Sequence, residues 1–250
     1  MKVIIVTGAS RGIGRAVAKF LLDKKCKVVV AARDGNALDQ LRQDYPDNAL
    51  VVVADFSDLK VGQEVVNAAI KTWGRLDGIV INHGQLAPVN RVGNTTAEQW
   101  RQAFDVNFFS AISLVQAALP ALRERSGKII FTSSGAALNA YAAWGPYGAS
   151  KAAINHLTKT LSVEEPKVIT VAIRPGTVNT EMQREIREEY NEEMDDKDLQ
   201  KFANLKADGE LLRPEQPGHV IAKLVLEAPL NFSGKFYSWN DGELENFQDD

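Results

Sequence analysis

Seven short runs of β-branched and apolar residues punctuate the chain: KVIIVT, KVVVAA, ALVVVAD, DGIVIN, GKIIFTS, VITVAI and GKFYSW. Each is close to continuously hydrophobic rather than alternating, the pattern of strands buried on both faces. Between them, apolar residues recur with helical period and predict helices near residues 12–24, 35–44, 58–73, 96–124, 147–163 and 215–227. Strand and helix alternating in this way predict an α/β, doubly wound architecture. A seven-stranded parallel sheet carries helices on both faces, joined by right-handed crossovers in a single domain over residues 1–250.

One stretch breaks the rhythm. Residues 180–206, between the sixth and seventh runs, are dense in charge, with Glu181 and Glu185, and Arg184 and Glu188, at helical spacing. That spacing predicts one or two solvated helices. Extra length after a parallel strand's carboxyl end lies where such sheets bind ligands. The stretch therefore reads either as a surface excursion or, taken as residues 180–212, as a substrate lid.

Composition narrows the function classes. With 250 residues and 45% apolar content the chain can bury one sizeable core. Its 29 basic and 32 acidic side chains give a net charge of -3 and are dispersed, with no basic block to meet a phosphate backbone or an anionic bilayer. Nucleic acid and membrane are not expected as partners. The opening MKVIIVTG turns polar too early for a secretory leader, and no apolar run approaches the ~20 residues that span a bilayer, so a cytoplasmic protein is expected. The single cysteine, Cys26, excludes an internal disulfide and a multi-cysteine metal site, and no metal is expected.

Candidate chemistry begins where the first run ends. TGASRGIG places Gly8, Gly12 and Gly14 between strand and helix. Glycines there let the backbone turn and approach a ligand while the first-turn N–H groups face a pyrophosphate. The spacing G-x-x-x-G-x-G departs from the commoner G-x-G-x-x-G, but its position at the first strand-to-helix junction points to a nucleotide. About twenty residues on, where an acid would hold an adenosine ribose, the second run ends in Ala32, Arg33 and Asp34. Arg33, with Arg11 of the glycine loop, suits a 2′-phosphate and hence NADP. Asp34 argues for the ribose diol of NAD, the less favoured cofactor.

Tyr147 stands four residues before Lys151 in WGPYGASKAAIN, a pair that is weak by itself. Its company gives it weight, because Ser133 and Ser134 end the fifth run and Ser134 precedes Tyr147 by thirteen residues. TGASRGIG, INHG, FDVNFFS, FTSS followed by YGASK, and RPGTVNT stand in the order and spacing of the short-chain dehydrogenase/reductase family, which the chain resembles over nearly its whole length.

The resemblance implies a Rossmann-type fold, an oxidoreductase acting on CH–OH and C=O groups, and a homodimer or homotetramer built on the helices near 96–124 and 147–163. It implies a catalytic tetrad of Asn107, Ser134, Tyr147 and Lys151. Tyr147 would exchange a proton with the carbonyl oxygen, and Ser134 would hydrogen-bond that oxygen. Lys151 would bind the nicotinamide ribose, and Asn107 would hold a water that resupplies protons. A lysine one helical turn from a phenol is expected to lower its pKa. A unit charge at ~4 Å in an effective dielectric of ~20 supplies about 4 kcal/mol, or about three pH units.

The implied cofactor contacts are Gly8, Ser10, Arg11, Gly12, Ile13, Gly14, Arg33, Asp55 at the adenine amino group, Phe56, Asn82, Gly84, Tyr147 and Lys151. Pro175, Gly176, Val178 and Thr180 follow, at the nicotinamide carboxamide. Asp55 also reads as a strand-end cap. One position departs from the family pattern N-N-A-G: here Ile81, Asn82, His83 and Gly84 occur, and His83 either fills space or contacts a ligand.

Stretches outside these motifs, such as NAYAAWGPYGASKAAINH and LVLEAPLNFSGKFYSWNDGEL, are similar to fungal carbonyl reductases of the benzil reductase type and, more distantly, to sepiapterin reductases. This implies an NADP-dependent carbonyl reductase delivering hydride to a small-molecule ketone or α-diketone; Tyr141 and Trp144, just before Tyr147, read either as a surface on which a flat substrate stacks or as ordinary packing or a contact with a neighbouring subunit. The alternatives are an NAD-dependent alcohol or hydroxysteroid-type dehydrogenase of the same fold, and an NADP-binding sensor without turnover.

Overall fold

The computed structural model describes residues 1–190 and 193–249, so residues 191–192 of the expected lid lie outside the described residues. The strands are β1 (Val3–Thr7), β2 (Lys27–Ala32), β3 (Ala49–Val53), β4 (Gly78–Ile81), β5 (Lys128–Thr132), β6 (Ile169–Arg174) and β7 (Lys235–Ser238). All pair in parallel, in the order β3-β2-β1-β4-β5-β6-β7. The helices are α1 (Gly12–Asp23), α2 (Gly35–Asp44), α3 (Val61–Trp73), α4 (Ala97–Phe104), α5 (Ser110–Arg125), α6 (Gly145–Glu164), α7 (Glu181–Glu188), α8 (Asp196–Ala207) and α9 (Glu215–Glu227).

Successive strand residues enter opposite cores. Ile4, Val6, Val28 and Val30 pack with Val17 and Leu21 of α1, Leu38 of α2 and Leu224 of α9. Val3, Ile5, Val29 and Ala31 pack with Val65 of α3, Leu114 of α5 and Ile154 of α6. Both faces of each central strand are thus buried, at about 1.5–3 kcal/mol per large aliphatic side chain, and continuous hydrophobic runs are the result. Strand order reverses between β2 and β4 around β1, where Val6 pairs with Val30 on one side and Val80 on the other. The crevice beyond these carboxyl ends is the ligand position of doubly wound sheets.

Three local features position the site. The helix expected over 96–124 is interrupted by a wider turn, Asp105–Phe109, with i→i+5 hydrogen bonding, and this turn carries Asn107. Pro146 starts α6 just ahead of Tyr147, since a proline has no N–H to leave unpaired in a first turn. The charged stretch forms α7 and α8, and its two ends are clamped beside β6. Leu212 N–H donates to Thr177 O at 3.0 Å, and Asn179 N–H donates to Leu212 O at 2.8 Å.

Contrary to the reading of apolar runs above, the stretch Ala97–Arg125 is long and apolar enough to cross a membrane by length and composition. It turns Ala103, Ala111, Leu114, Ala118 and Leu122 into the interior, the placement of a core helix.

Candidate active site

A cavity of about 1020 Å³ opens at the carboxyl ends of the strands. Its walls unite residues far apart in sequence: Gly8, Ser10, Arg11, Gly12 and Ile13 after β1, Arg33 after β2, Asp55 and Phe56 after β3, Asn82 and Gly84 after β4, and Pro175, Gly176, Val178 and Thr180 after β6. Ser134, Tyr147 and Lys151 line it as well. Of the expected site residues, Gly14 and Asn107 do not line the cavity; they stand behind it.

The glycine loop has the shape a phosphate cradle requires. Gly8 has φ +64°, and a Cβ there would stand 3.0 Å from Asn82 Nδ2 and 3.1 Å from His83 backbone. A Cβ on Gly14 would meet Gly8 O at 2.2 Å, so a glycine there allows the loop to fold closely on itself. Arg11, at the N-cap of α1, supplies no side-chain cap, which leaves first-turn N–H groups available to an anion.

At the adenosine end, Asp34 Oδ1 caps α2 by accepting from Ala37 N at 3.1 Å, and Asp34 also lines the cavity. Arg33 makes no ion pair within 4.0 Å among the described residues, and its charge reaches Asp55. Asp55 accepts from Ser57 N at 3.0 Å, which holds its carboxyl below the usual range, and it faces the cavity while capping this turn. Arg11 is 3.8 Å from Glu185 of α7, so it leans toward the charged stretch rather than standing free beside Arg33.

At the opposite end, β5 and α6 bring the reactive side chains together. Tyr147 is 8% exposed, and burial pushes its phenol above the ordinary value while contact with the Ser134 hydroxyl pulls the other way. Lys151 is 5% exposed; its ammonium donates to Thr132 O at 2.8 Å, and burial pushes it down to about 8. Where a lowering by Lys151 was expected, the direction for the Tyr147 phenol is upward, with burial the largest cause, and Lys151 Nζ lies 5.8 Å from the ring centroid.

Asn107 is held from both sides. Its Nδ2 donates to Gln85 O at 2.9 Å, and its Oδ1 accepts from Gln85 N at 2.8 Å. A Cβ on Gly84 would stand 3.2 Å from Asn107 Oδ1 and 3.5 Å from Lys151 Nζ, so Gly84 lies between the two side chains.

Comparison with known proteins shows the family. The short chain dehydrogenase family profile matches residues 2–191. The chain belongs to the short-chain dehydrogenase family. An uncharacterized oxidoreductase of Saccharomyces cerevisiae is 41% identical over 250 residues, covering 98% of each chain. A benzil reductase, (S)-benzoin forming, of the same yeast is 41% identical over 256 residues, covering 97% of each. A crystal structure of a short-chain dehydrogenase/reductase from S. cerevisiae superposes with a TM-score of 0.97 at 41% identity, covering all of both chains. The chain is therefore an oxidoreductase of a family that binds a nicotinamide cofactor.

Where the family motif has a small residue, His83 makes a buried bridge. Its Nδ1 is 2.7 Å from Thr7 Oγ1 at the end of β1, and its Nε2 is 2.7 Å from Ser110 Oγ at the start of α5. Its ring stacks on Phe56 at 3.9 Å with the planes 7° apart. Burial, with the Lys151 charge second, pushes its pKa down to about 3, so the imidazole is neutral at physiological pH. Ser110 lies three residues after Asn107, so the bridge ties β1 and the Phe56 wall to the turn that carries Asn107.

The remaining wall is apolar and aromatic. Trp144 stacks on Phe202 of α8 at 5.8 Å with planes 6° apart, Tyr141 lies 4.8 Å from Trp144, and Trp144 meets the Tyr147 ring edge-on at 6.0 Å. Leu86, Met182, Ile186 and Phe202 complete this surface. Sequence reasoning missed Met182, Ile186 and Phe202. The signal available was the four-residue spacing of Met182 and Ile186 within an otherwise charged stretch.

Proposed function

We propose that the chain is a cytoplasmic NADP-dependent carbonyl reductase that reduces a ketone or α-diketone. The observation that carries this reading is the meeting of Ser134 and Tyr147 with buried Lys151 in one cavity shared with the glycine loop. NADPH bound along that cavity supplies the hydride. Tyr147, its phenol held in the protonated form by burial, donates the proton to the carbonyl oxygen. Ser134 hydrogen-bonds the same oxygen and orients it. Lys151 holds the nicotinamide ribose, and Asn107 fixes the Gln85 backbone beside it and keeps the proton route to Lys151.

For the cofactor, Arg33 lines the cavity with no ion pair within 4.0 Å among the described residues, and this supports NADP over NAD; Asp34, one of whose oxygens caps α2, lines the same cavity. Asp55 and Phe56 take the adenine, and Pro175, Gly176, Val178 and Thr180 take the carboxamide. For the substrate, the Tyr141, Trp144 and Phe202 surface supports a bulky, flat ketone, as does the likeness to a benzil reductase. Residues 180–212 act as its lid, hinged at the Leu212 clamp. Exposed Phe109 and Val163, on the stretches proposed to build a homo-oligomer, support that assembly.

The test is a comparison of kcat/KM for NADPH and NADH with benzil as acceptor. A tenfold or greater preference for NADPH is expected, and a tenfold preference for NADH overturns the cofactor assignment. NADPH binding without oxidation by any member of a broad carbonyl panel overturns the catalytic reading in favour of a sensor.

A further inference from the structure

Two cations at the substrate end of the cavity, Lys201 and Arg174, have no ion-pair partner within 4.0 Å among the described residues. Lys201 of α8 lines the cavity and is exposed, which sets it at the mouth. Three contacts place its ammonium. Nζ lies 5.6 Å from the centroid of the Tyr141 ring and 5.7 Å from that of Phe202, and it donates to Tyr141 Oη at 3.5 Å. All three are long, since a cation–π pair needs about 6 Å or less and a good N–H···O bond is about 2.9 Å. An ammonium has three donors, so this one keeps capacity for an anion. Asp198 stands three residues before Lys201 on α8, a spacing that pairs charges on a solvated helix face, yet the two make no ion pair. The lysine reaches across to the aromatic wall instead.

The acids of the cavity wall do not neutralise it. Asp34 and Asp55 stand at the adenosine end, Glu181 is bound to Arg184, and Asp105 makes no ion pair with Lys201. Arg174, the last residue of β6, adds to the positive field: its Cδ lies 3.4 Å from where a Cβ on Gly135 would stand, one residue after Ser134. Such a field over aromatic walls of low dielectric draws in an anion. The rings also set where the anion belongs. They lead from Tyr147 to Trp144 at 6.0 Å, from Trp144 to Tyr141 at 4.8 Å, and from Tyr141 to the Lys201 ammonium at 5.6 Å. In the carbonyl-reductase reading, on which this inference rests, Tyr147 takes the oxygen being reduced and the other rings take the flat body of the ketone. We propose that the natural ketone bears a carboxylate at the far end of that body and that Lys201 receives it, so that the site selects anionic ketones over neutral ones of the same shape.

The test uses benzil bearing one para-carboxylate and benzil bearing one para-carboxamide, which are nearly equal in shape and differ in charge. Wild-type enzyme and Lys201→Met are assayed with NADPH at low ionic strength, and the carboxylate to carboxamide ratio of kcat/KM is the readout. Methionine keeps an apolar stem against the rings, and comparing the ratio between the two enzymes cancels both intrinsic reactivity and any general damage to α8. The ratio is expected to fall at least threefold in Lys201→Met, the scale of an ion pair open to solvent on one side, and to do so through KM, because the contact is the same in ground and transition states. A smaller fall, or an equal loss for both substrates, overturns the inference while leaving the carbonyl-reductase reading intact. Reduction of unsubstituted benzil but of neither substituted form by the wild type does the same. Turnover of none of the three removes that reading and the inference with it.

A second measurement reads the charge directly. With NADPH saturating, raising NaCl from about 0.02 M to about 0.5 M is expected to raise the wild-type KM for the carboxylate at least threefold relative to that for the carboxamide, and this salt effect is expected to be lost in Lys201→Met. A smaller relative rise, or one that persists in Lys201→Met, contradicts the proposal.

Discussion

The Lys151 ammonium donates to the carbonyl oxygen of Thr132 at 2.8 Å, anchoring the cation of the site to the last residue of β5 rather than to the Tyr147 phenol. The two groups are therefore tuned separately. Burial raises the phenol and lowers the ammonium to about 8, so Tyr147 keeps its proton over a range in which Lys151 loses its own.

This separation sets the pH dependence. The native pKa of Lys151 lies below its unfolded value of 10.5, so its charge is present below about 8 and is lost above it. In the free enzyme, kcat/KM for ketone reduction is expected to fall as pH rises through about 8. Lys151→Arg, whose guanidinium stays charged, should lack that limb. Stability moves in the opposite sense. Between about 8 and 10.5 the unfolded chain binds more protons than the native one at this group, so this contribution rises with pH, by up to about 3 kcal/mol at about 1.4 kcal/mol per pH unit. A kcat/KM profile that is flat to pH 10 for the wild type contradicts the assignment.

Arg33 should decide the cofactor. It has no ion-pair partner among the described residues within 4.0 Å, whereas Arg11 is shared with Glu185 at 3.8 Å. Loss of one charge-assisted bond costs about 1.5–3 kcal/mol, so Arg33→Ala is expected to lower kcat/KM for NADPH by about tenfold to a hundredfold and to change that for NADH little. Steady-state kinetics with both cofactors checks this, and equal losses contradict it.

His83 is expected to matter for stability. In His83→Ala, which restores the small residue of the family motif, Thr7 Oγ1 and Ser110 Oγ lose a buried partner and Phe56 loses its stacked ring. The expected cost is about 2–4 kcal/mol, seen as a drop in Tm of about 4–15 °C. With a native pKa of about 3, His83 is not expected to contribute a limb to any rate profile between pH 5 and 8. An unchanged Tm counts against the bridge.

How far the sequence carries depends on the range of the forces involved. Strand and helix positions follow from local pattern, because β-branched runs such as VIIVT and KVVVAA are buried on both faces. Many of the expected residues that line the cavity were legible for a related reason: they stand at a strand end or in a first helical turn, where backbone geometry is tied to particular residue types, as at Gly8 with φ +64°. The partners were not legible. Nothing in the neighbourhood of His83 points to Ser110, and nothing near Lys151 points to the Thr132 carbonyl, since these contacts join elements through the sheet. The wide turn at Asn107 was hidden within a segment of unbroken helical period. Asp34 read as a candidate ribose ligand because its use as the cap of α2 depends on where that helix begins.

The central claim is that Tyr147 donates the proton in carbonyl reduction, and Tyr147→Phe tests it most directly, because the ring keeps its packing and only the hydroxyl is lost. NADPH oxidation with benzil and NADPH affinity are measured on the same preparations. The expected result is a fall in kcat of about 10²–10⁴-fold, the range of a lost general acid, with NADPH affinity changed less than about threefold. Near-normal turnover by Tyr147→Phe contradicts the account.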